Sequence, residues 1–330
     1  NRSFPDPLPV GRISVNIMNK LIVILGPTAS GKSDLAVRLA KKFNGEIISA
    51  DSRQVYKGLD IGSGKITKKE MRGVPHYLLD VASPKRKFTV AQFQKLAQKK
   101  IKEIQKRGKL PFLVGGTGFY IQSIVDGIKI PEVKPNWKLR KKFEKKSLKE
   151  LFLILKKLDQ KRAFVIDKNN KVRIIRAIEI VEATKKPVPP IIKDVKFESL
   201  QIGITKSKKQ LKSAIRKRLI KRLNHGMITE IRRLRRHGLT FGRLEEFGLE
   251  YRYVAQYLQE KITYQQMIEK IQKESERFAK RQMTWFKSDK RIHWIEDQKE
   301  AERSIKKFIK QKPLEFSNGS LILHGLRSRL

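Results

Sequence analysis

Leu21-Ile22-Val23-Ile24-Leu25-Gly26-Pro27-Thr28-Ala29-Ser30-Gly31-Lys32-Ser33 joins an apolar, β-branched run to the spacing G-x-x-x-x-G-K-S. An amphipathic stretch, Asp34 to Phe43, follows it. Strand, glycine-bounded turn and helix in that order form a phosphate-binding loop, or P-loop. Gly26 and Gly31 allow backbone N–H groups to curl around a di- or triphosphate, and the helix N-terminus adds positive potential. Lys32 reaches a terminal phosphate, and the Ser33 hydroxyl is a candidate Mg²⁺ ligand. Gly26, Pro27, Thr28, Ala29, Ser30, Gly31, Lys32 and Ser33 are therefore the candidate phosphate site. The motif alone leaves open which phosphorylated ligand binds, and whether phosphate is transferred or released.

Working outward, Gly45 to Ala50 reads as a short strand ending at Asp51-Ser52-Arg53-Gln54. In an open α/β sheet the strand ends face the ligand crevice, which puts Asp51 near the P-loop. Residues 57–75 are rich in Gly and Lys and read as a loop, and 76–81 as another strand. Phe88 to Arg107 has the period of an amphipathic helix, stopped by Gly108. Leu110 to Val114 is a buried strand, with Gly115-Gly116-Thr117-Gly118 as a second glycine-rich turn. Repeated strand–turn–helix units predict an α/β fold, a P-loop NTPase-like, three-layer parallel core.

Beyond Asp126-Gly127 the pattern changes to Lys-rich helical stretches, ending near Pro187-Val188-Pro189-Pro190. We read 130–195 as a helical insertion domain between core segments 18–129 and 196–296. A strand at 200–204 returns the chain to the sheet. Residues 207–237 form a basic helical region broken at Asn224-His225-Gly226, and 238–248 read as a loop. Helices follow at 250–258 and 263–286, then a last strand at 292–295. Residues 1–17 read as an extension outside the fold, and 311–330 as a tail without firm pattern.

The formal net charge is +44, with 76 Lys+Arg against 32 Asp+Glu. A lysine-rich proteome accounts for part of this; the rest points to a polyanionic partner, nucleic acid first. Zero cysteines exclude disulfides, thiolate metal sites and a thiol nucleophile. No apolar run approaches the length of a membrane span, and no signal-peptide core is visible. A cytoplasmic protein without a membrane partner is the simplest expectation.

Four groups of residues carry candidate chemistry. Asp51 beside Lys32 and Ser33 is either a Mg²⁺ ligand or general base, or a helix N-cap. Gly115 to Gly118 either lets backbone approach a ligand or makes a tight strand-to-helix turn. Arg173 with Arg176, Arg216 with Arg218 and Arg222, and Arg232-Arg233 with Arg235-Arg236 are either phosphate contacts or solvated helix faces. Lys280-Arg281-Gln282-Met283-Thr284-Trp285-Phe286-Lys287 interleaves donors with aromatics, which suits unstacked RNA bases, although Trp285 and Phe286 also suit a core.

Together these stretches resemble the tRNA dimethylallyltransferases, or tRNA isopentenyltransferases. The matching segments are 26–33, Ile-Ser-Ala-Asp-Ser-Arg-Gln-Val-Tyr at 48–56, Leu-Val-Gly-Gly-Thr-Gly-Phe-Tyr at 113–120, Arg-Ile-Ile-Arg-Ala-Ile-Glu at 173–179 and Lys-Arg-Gln-Met-Thr-Trp-Phe at 280–286. They fall in the family's order.

The resemblance implies transfer of a dimethylallyl group from dimethylallyl diphosphate to N6 of adenosine 37 in tRNAs that read codons beginning with U, with diphosphate leaving. It makes Asp51 the general base, and Lys32, Ser33 with Mg²⁺, and Arg218 the groups that neutralise the leaving diphosphate. It assigns Asp51, Ser52, Arg53, Gln54, Thr117, Lys138, Arg173, Arg176, Arg252, Lys280, Arg281, Gln282, Trp285 and Lys287 to tRNA contact. The insertion would grip the anticodon stem-loop of a tRNA bound to a monomer. The chain departs from the family at Ala214, where an Arg is usual one turn before Arg218. It departs again at Phe247-Gly-Leu-Glu-Tyr-Arg252, where many members have a Gly-Tyr pair before a basic residue. The competing readings are an adenylate isopentenyltransferase, a P-loop small-molecule kinase, and a non-catalytic RNA-binding protein.

Overall fold

The structure is a computed structural model that describes residues 19–312 and the backbone of a short antiparallel hairpin, Phe316–Ser317 with Ser320–Leu321. The expected extension 1–17 and most of the expected tail lie outside the described residues.

Six strands form one parallel sheet: β1 (Lys20–Leu25), β2 (Gly45–Ala50), β3 (His76–Tyr77), β4 (Leu110–Gly115), β5 (Glu198–Ile204) and β6 (Ile292–Ile295). Their order is β3-β2-β4-β1-β5-β6. Every residue of β1 is buried, so its apolar run has no polar alternation, as expected for a strand covered on both faces. Leu21, Val23 and Leu25 pack with Ile48 and Leu113 under α3 (Val90–Lys106) and α4 (Gly118–Val125). Ile22 and Ile24 pack on the other face with Phe112 and Ile202, under α1 (Lys32–Lys42) and a C-terminal helix, Gln298–Lys310. This is the expected three-layer α/β arrangement.

A third apolar cluster joins Val55, Tyr56 and Leu59 to five helices of the same unit. We label these α9 (Lys208–Asn224), α10 (Met227–Arg236), α11 (Phe241–Phe247), α12 (Leu249–Leu258) and α13 (Tyr264–Lys287). Helices α5 (Trp137–Glu144), α6 (Leu148–Leu158), α7 (Gln160–Val165) and α8 (Lys171–Thr184) make up a separate compact unit, Ile128–Asp194. It has its own core, centred on Leu151, Leu155, Ile174 and Ile178.

Local chemistry explains where the elements differ from expectation. The strand at 76 stops after Tyr77 because Leu78 and Asp80 take left-handed backbone, φ 62 and 57. Within the expected loop 57–75, Thr67 and Glu70 form a capping box and start the one-turn helix α2 (Lys68–Met71). Within 238–248, Thr240 accepts from the Arg243 N–H and starts α11. The C-terminal helix, for which the sequence reading had no element, is capped by Asp297 and buries Ala301, Ile305 and Phe308. The break in the basic region is Gly226, at φ 89.

Candidate active site

A parallel sheet puts all strand C-termini on one edge, and β2, β4 and β1 are adjacent. The segments after them, 51–54, 116–118 and 26–33, therefore lie side by side, as ligand crevices require. A cleft of about 340 Å³ opens there, bounded by Thr28, Asp51, Thr117, Arg218, Arg222 and Gln282 among others.

The P-loop is wound as its residues demand. Gly26 has φ 153, and a Cβ there would run into the Ile204 carbonyl. Gly31 has φ 96 and precedes α1 with open space where a Cβ would stand. Lys32 Nζ donates across the loop to the Pro27 carbonyl at 3.2 Å. Ser30 Oγ is buried with no hydrogen-bond partner. Part of Lys32 still reaches solvent, yet burial lowers it from 10.5 to about 8, with Arg218 and Arg222 adding to the fall and Asp51 opposing it. An orphaned hydroxyl and a cation held below its ordinary pKa are what an anion in this loop would relieve.

Ser33 is exposed at the first turn of α1. Its hard hydroxyl oxygen fits a Mg²⁺ ion, which takes most of its ligands from phosphate oxygens and water. No group of three His, Cys, Asp or Glu side chains able to hold a metal occurs among the described residues, and such an ion needs none.

Across the cleft, Arg218 on α9 donates from Nη2 to Thr28 Oγ1. Burial pushes it down to about 10, and Arg222 pushes in the same direction. Asp51 Oδ1 accepts the N–H groups of Arg53 (2.8 Å) and Gln54 (3.3 Å). Asp51 thus closes an Asx turn while its carboxylate still borders the cleft. The helix N-cap alternative does not hold, because residues 52–55 form a turn and no helix starts there. Thr117 Oγ1 accepts the Ser52 N–H at 3.1 Å, tying the turn after β4 to the turn after β2.

The expected RNA contacts fall into two groups. Arg252, Lys280, Arg281, Trp285 and Lys287 are exposed, and Arg252 and Arg281 border the cleft with Ser52 and Arg53. Trp285 also packs on Gly118, where a Cβ would meet its ring, and Phe286 is core. Gln282 and Gln54 are committed inside the protein. Gln282 accepts from the Thr28 N–H and donates to the Gly116 carbonyl, both at 2.8 Å. Gln54 receives the Ser49 hydroxyl and donates to the Gly64 carbonyl.

In the helical unit, Lys138 and Arg173 are exposed. Arg176, three residues on from Arg173, turns instead to the buried carboxylate of Glu179 and the Val133 carbonyl. Shared helix face did not mean shared fate, because one position borders a buried acid.

Sequence reasoning missed Glu230, Tyr251 and Glu250. Glu230 accepts the consecutive N–H groups of Asp60, Ile61 and Gly62 at 3.0, 2.6 and 3.1 Å, plus the Tyr251 hydroxyl. Tyr251 Oη accepts the Ser63 N–H. These residues mould the 60–64 segment that borders the cleft. No local pattern announces them, since Glu230 and Tyr251 act on backbone about 170 to 190 residues away and Glu250 pairs with Arg222 on another helix.

A P-loop at the end of β1, an acid at the end of β2 and an arginine reaching the loop from α9 define an α/β enzyme built around a phosphorylated substrate. The IPP transferase family model matches residues 54–289, and the chain belongs to that family. It is 42% identical over 295 residues to the tRNA dimethylallyltransferase of Carboxydothermus hydrogenoformans, covering 87% of this chain and 94% of the relative. The tRNA dimethylallyltransferase of Anoxybacillus flavithermus is 40% identical over 281 residues, covering 84% and 90%. Among solved structures, the tRNA isopentenylpyrophosphate transferase of Staphylococcus epidermidis matches at TM-score 0.64 and 35% identity, covering 88% of this chain and 98% of that one. A eukaryotic dimethylallyltransferase acting on tRNA matches at TM-score 0.72 and 26% identity, covering 90% and 81%.

Proposed function

We propose that this chain transfers the dimethylallyl group of dimethylallyl diphosphate to N6 of the adenosine beside the anticodon of tRNA. It works as a monomer in the cytoplasm, where tRNA is found. The observation that carries this is the meeting of Arg218 with Thr28 of the P-loop, beside Asp51, in one cleft. Family membership narrows the donor to a prenyl diphosphate and the acceptor to tRNA.

The allylic C–O bond breaks and its electron pair goes to the diphosphate. The N6 nitrogen forms the new C–N bond and loses one proton, which the Asp51 carboxylate takes. The allylic carbon gains cation character as the bond breaks, so stabilising the departing charge lowers the barrier. Lys32, Arg218 and the N–H groups of the P-loop do this. Mg²⁺ at Ser33 would supply further positive charge to the same diphosphate. The target base must leave the anticodon stack to reach Asp51. Ser52, Arg53, Thr117, Arg252 and Arg281 border the cleft it would enter. On the helical unit, Lys138 and Arg173 are free to meet the stem's phosphates.

Incubation with radiolabelled dimethylallyl diphosphate, Mg²⁺ and either unmodified tRNA or AMP tests this reading. Label on tRNA, recovered after digestion as N6-(dimethylallyl)adenosine, is the expected result. Label on AMP alone would establish the adenylate reaction instead. ATP turnover with no prenyl transfer would establish a kinase.

A further inference from the structure

Helix α9 carries a second guanidinium into the cleft. Arg222 follows Arg218 by one turn, so the two share a helix face, and both border the cleft with Thr28 and Asp51. One turn before Arg218 the face carries Ala214 and no charge.

Arg222 is held from three sides. Its Nη1 donates to Glu250 Oε1 at 2.7 Å and to the Gly62 carbonyl at 3.1 Å. The Arg222 and Glu250 side chains are only 12% and 10% exposed. The 60–64 segment is shaped to admit the guanidinium: Gly64, at φ 63, presents bare backbone, and a Cβ there would collide with Nη2. That segment is itself fixed by Glu230 and Tyr251.

Arg218 and Arg222 thus border one cleft beside the P-loop that carries Lys32. Arg222 is the chief neighbouring charge that lowers Arg218. The nearby acids are Asp51, engaged by two backbone N–H groups, and Glu250, engaged by Arg222. Like charges held together at a cost are relieved by a multiply charged anion.

We propose that Arg222 is a third cation of the diphosphate site, with Glu250 as the positioning residue that holds its guanidinium. The inference rests on the donor assigned above. It adds a group whose attraction grows as negative charge moves onto the leaving diphosphate. Glu250 sets the strength of that attraction, because its carboxylate partly neutralises the guanidinium it anchors.

The test measures binding of inorganic diphosphate with Mg²⁺ to the full chain by calorimetry, beside steady-state transfer kinetics. Arg222→Met keeps the apolar stem and removes the charge. It should weaken diphosphate binding about ten- to a hundredfold, the range for one charge-assisted hydrogen bond. It should also lower kcat and leave the KM for tRNA unchanged. Glu250→Gln keeps the shape and a hydrogen-bond acceptor but removes the negative charge. It should tighten diphosphate binding about two- to threefold, a modest gain because a neutral amide also anchors the guanidinium less firmly than a carboxylate. A purely structural pair would lower the melting temperature in both variants and leave diphosphate affinity within twofold, overturning the proposal. Should Arg222→Met fail to fold, Glu250→Gln alone decides: tighter binding supports the proposal, and unchanged or weaker binding overturns it. Diphosphate binding needs neither tRNA nor prenyl transfer. Failure of the unchanged chain to prenylate tRNA would therefore sink the functional reading separately.

Discussion

Gln282, on α13, accepts the backbone N–H of Thr28 at 2.8 Å and is 7% exposed. Its amide nitrogen donates to Gly116, so one side chain spans the P-loop and the turn after β4. Both loops are glycine-rich, and Gln282 ties them together just beyond the Leu25–Gly115 pairing of their strands. Gln282→Leu should leave a buried carbonyl and a part-buried N–H unpaired, at about 1–3 kcal/mol for the buried group and less for the other. A lower melting temperature together with weaker dimethylallyl diphosphate binding is expected. An unchanged melting temperature would contradict the brace.

Asp51 has two duties that a single substitution can separate. Asp51→Asn keeps a side-chain oxygen for the Arg53 and Gln54 N–H groups and so preserves the Asx turn. It cannot take up a proton. We expect kcat to fall about 10²- to 10⁴-fold, the usual worth of a general base, with tRNA affinity retained. Filter binding of tRNA beside single-turnover kinetics checks this; an equal loss in affinity would point to an RNA contact instead.

The lowered pKa of Lys32, about 8 against 10.5, makes a pH prediction. Between these values the folded protein binds fewer protons at Lys32 than the unfolded chain, so this group makes stability rise with pH there. Ligand binding follows the opposite sense, because a diphosphate favours the charged amine. Affinity for dimethylallyl diphosphate should be full below pH 8 and fall as pH rises through it, approaching about tenfold per unit. Lys32→Arg stays charged and should flatten the profile; calorimetry across pH 7 to 10 compares the two slopes.

Glu230 is a carboxylate in a nest of three consecutive N–H groups. Glu230→Ala should leave those amides unpaired, at about 1–3 kcal/mol for each buried donor. Hydrogen exchange at residues 60–62 should accelerate ahead of the β1 and β4 amides. Exchange unchanged at 60–62 would refute the clamp.

Legibility followed the range of the interaction. The P-loop, the helix starts at Thr89 and Thr263, and the doubly buried β1 are each written in a few consecutive residues. Glycine spacing, capping boxes and an unbroken apolar run are local demands. Helix α11 was less legible because one capping threonine, Thr240, starts only seven residues. The site residues were readable by type, and by resemblance to a family, but not by partner.

Local residues by themselves determined that this chain builds a parallel sheet with a phosphate loop at the end of its first strand. Torsional preference and burial on two faces act over a handful of positions. Only the tertiary structure decided that β2 and β4 lie beside one another next to β1, which brings Asp51, Thr117 and Thr28 to one cleft. It also decided that Arg218 and Arg222 enter this cleft from 190 and 160 residues beyond the Thr28 hydroxyl and the Gly62 carbonyl they touch. Periodicity tells which face of a helix is buried. What that face meets depends on strand order and helix packing, which no single segment encodes.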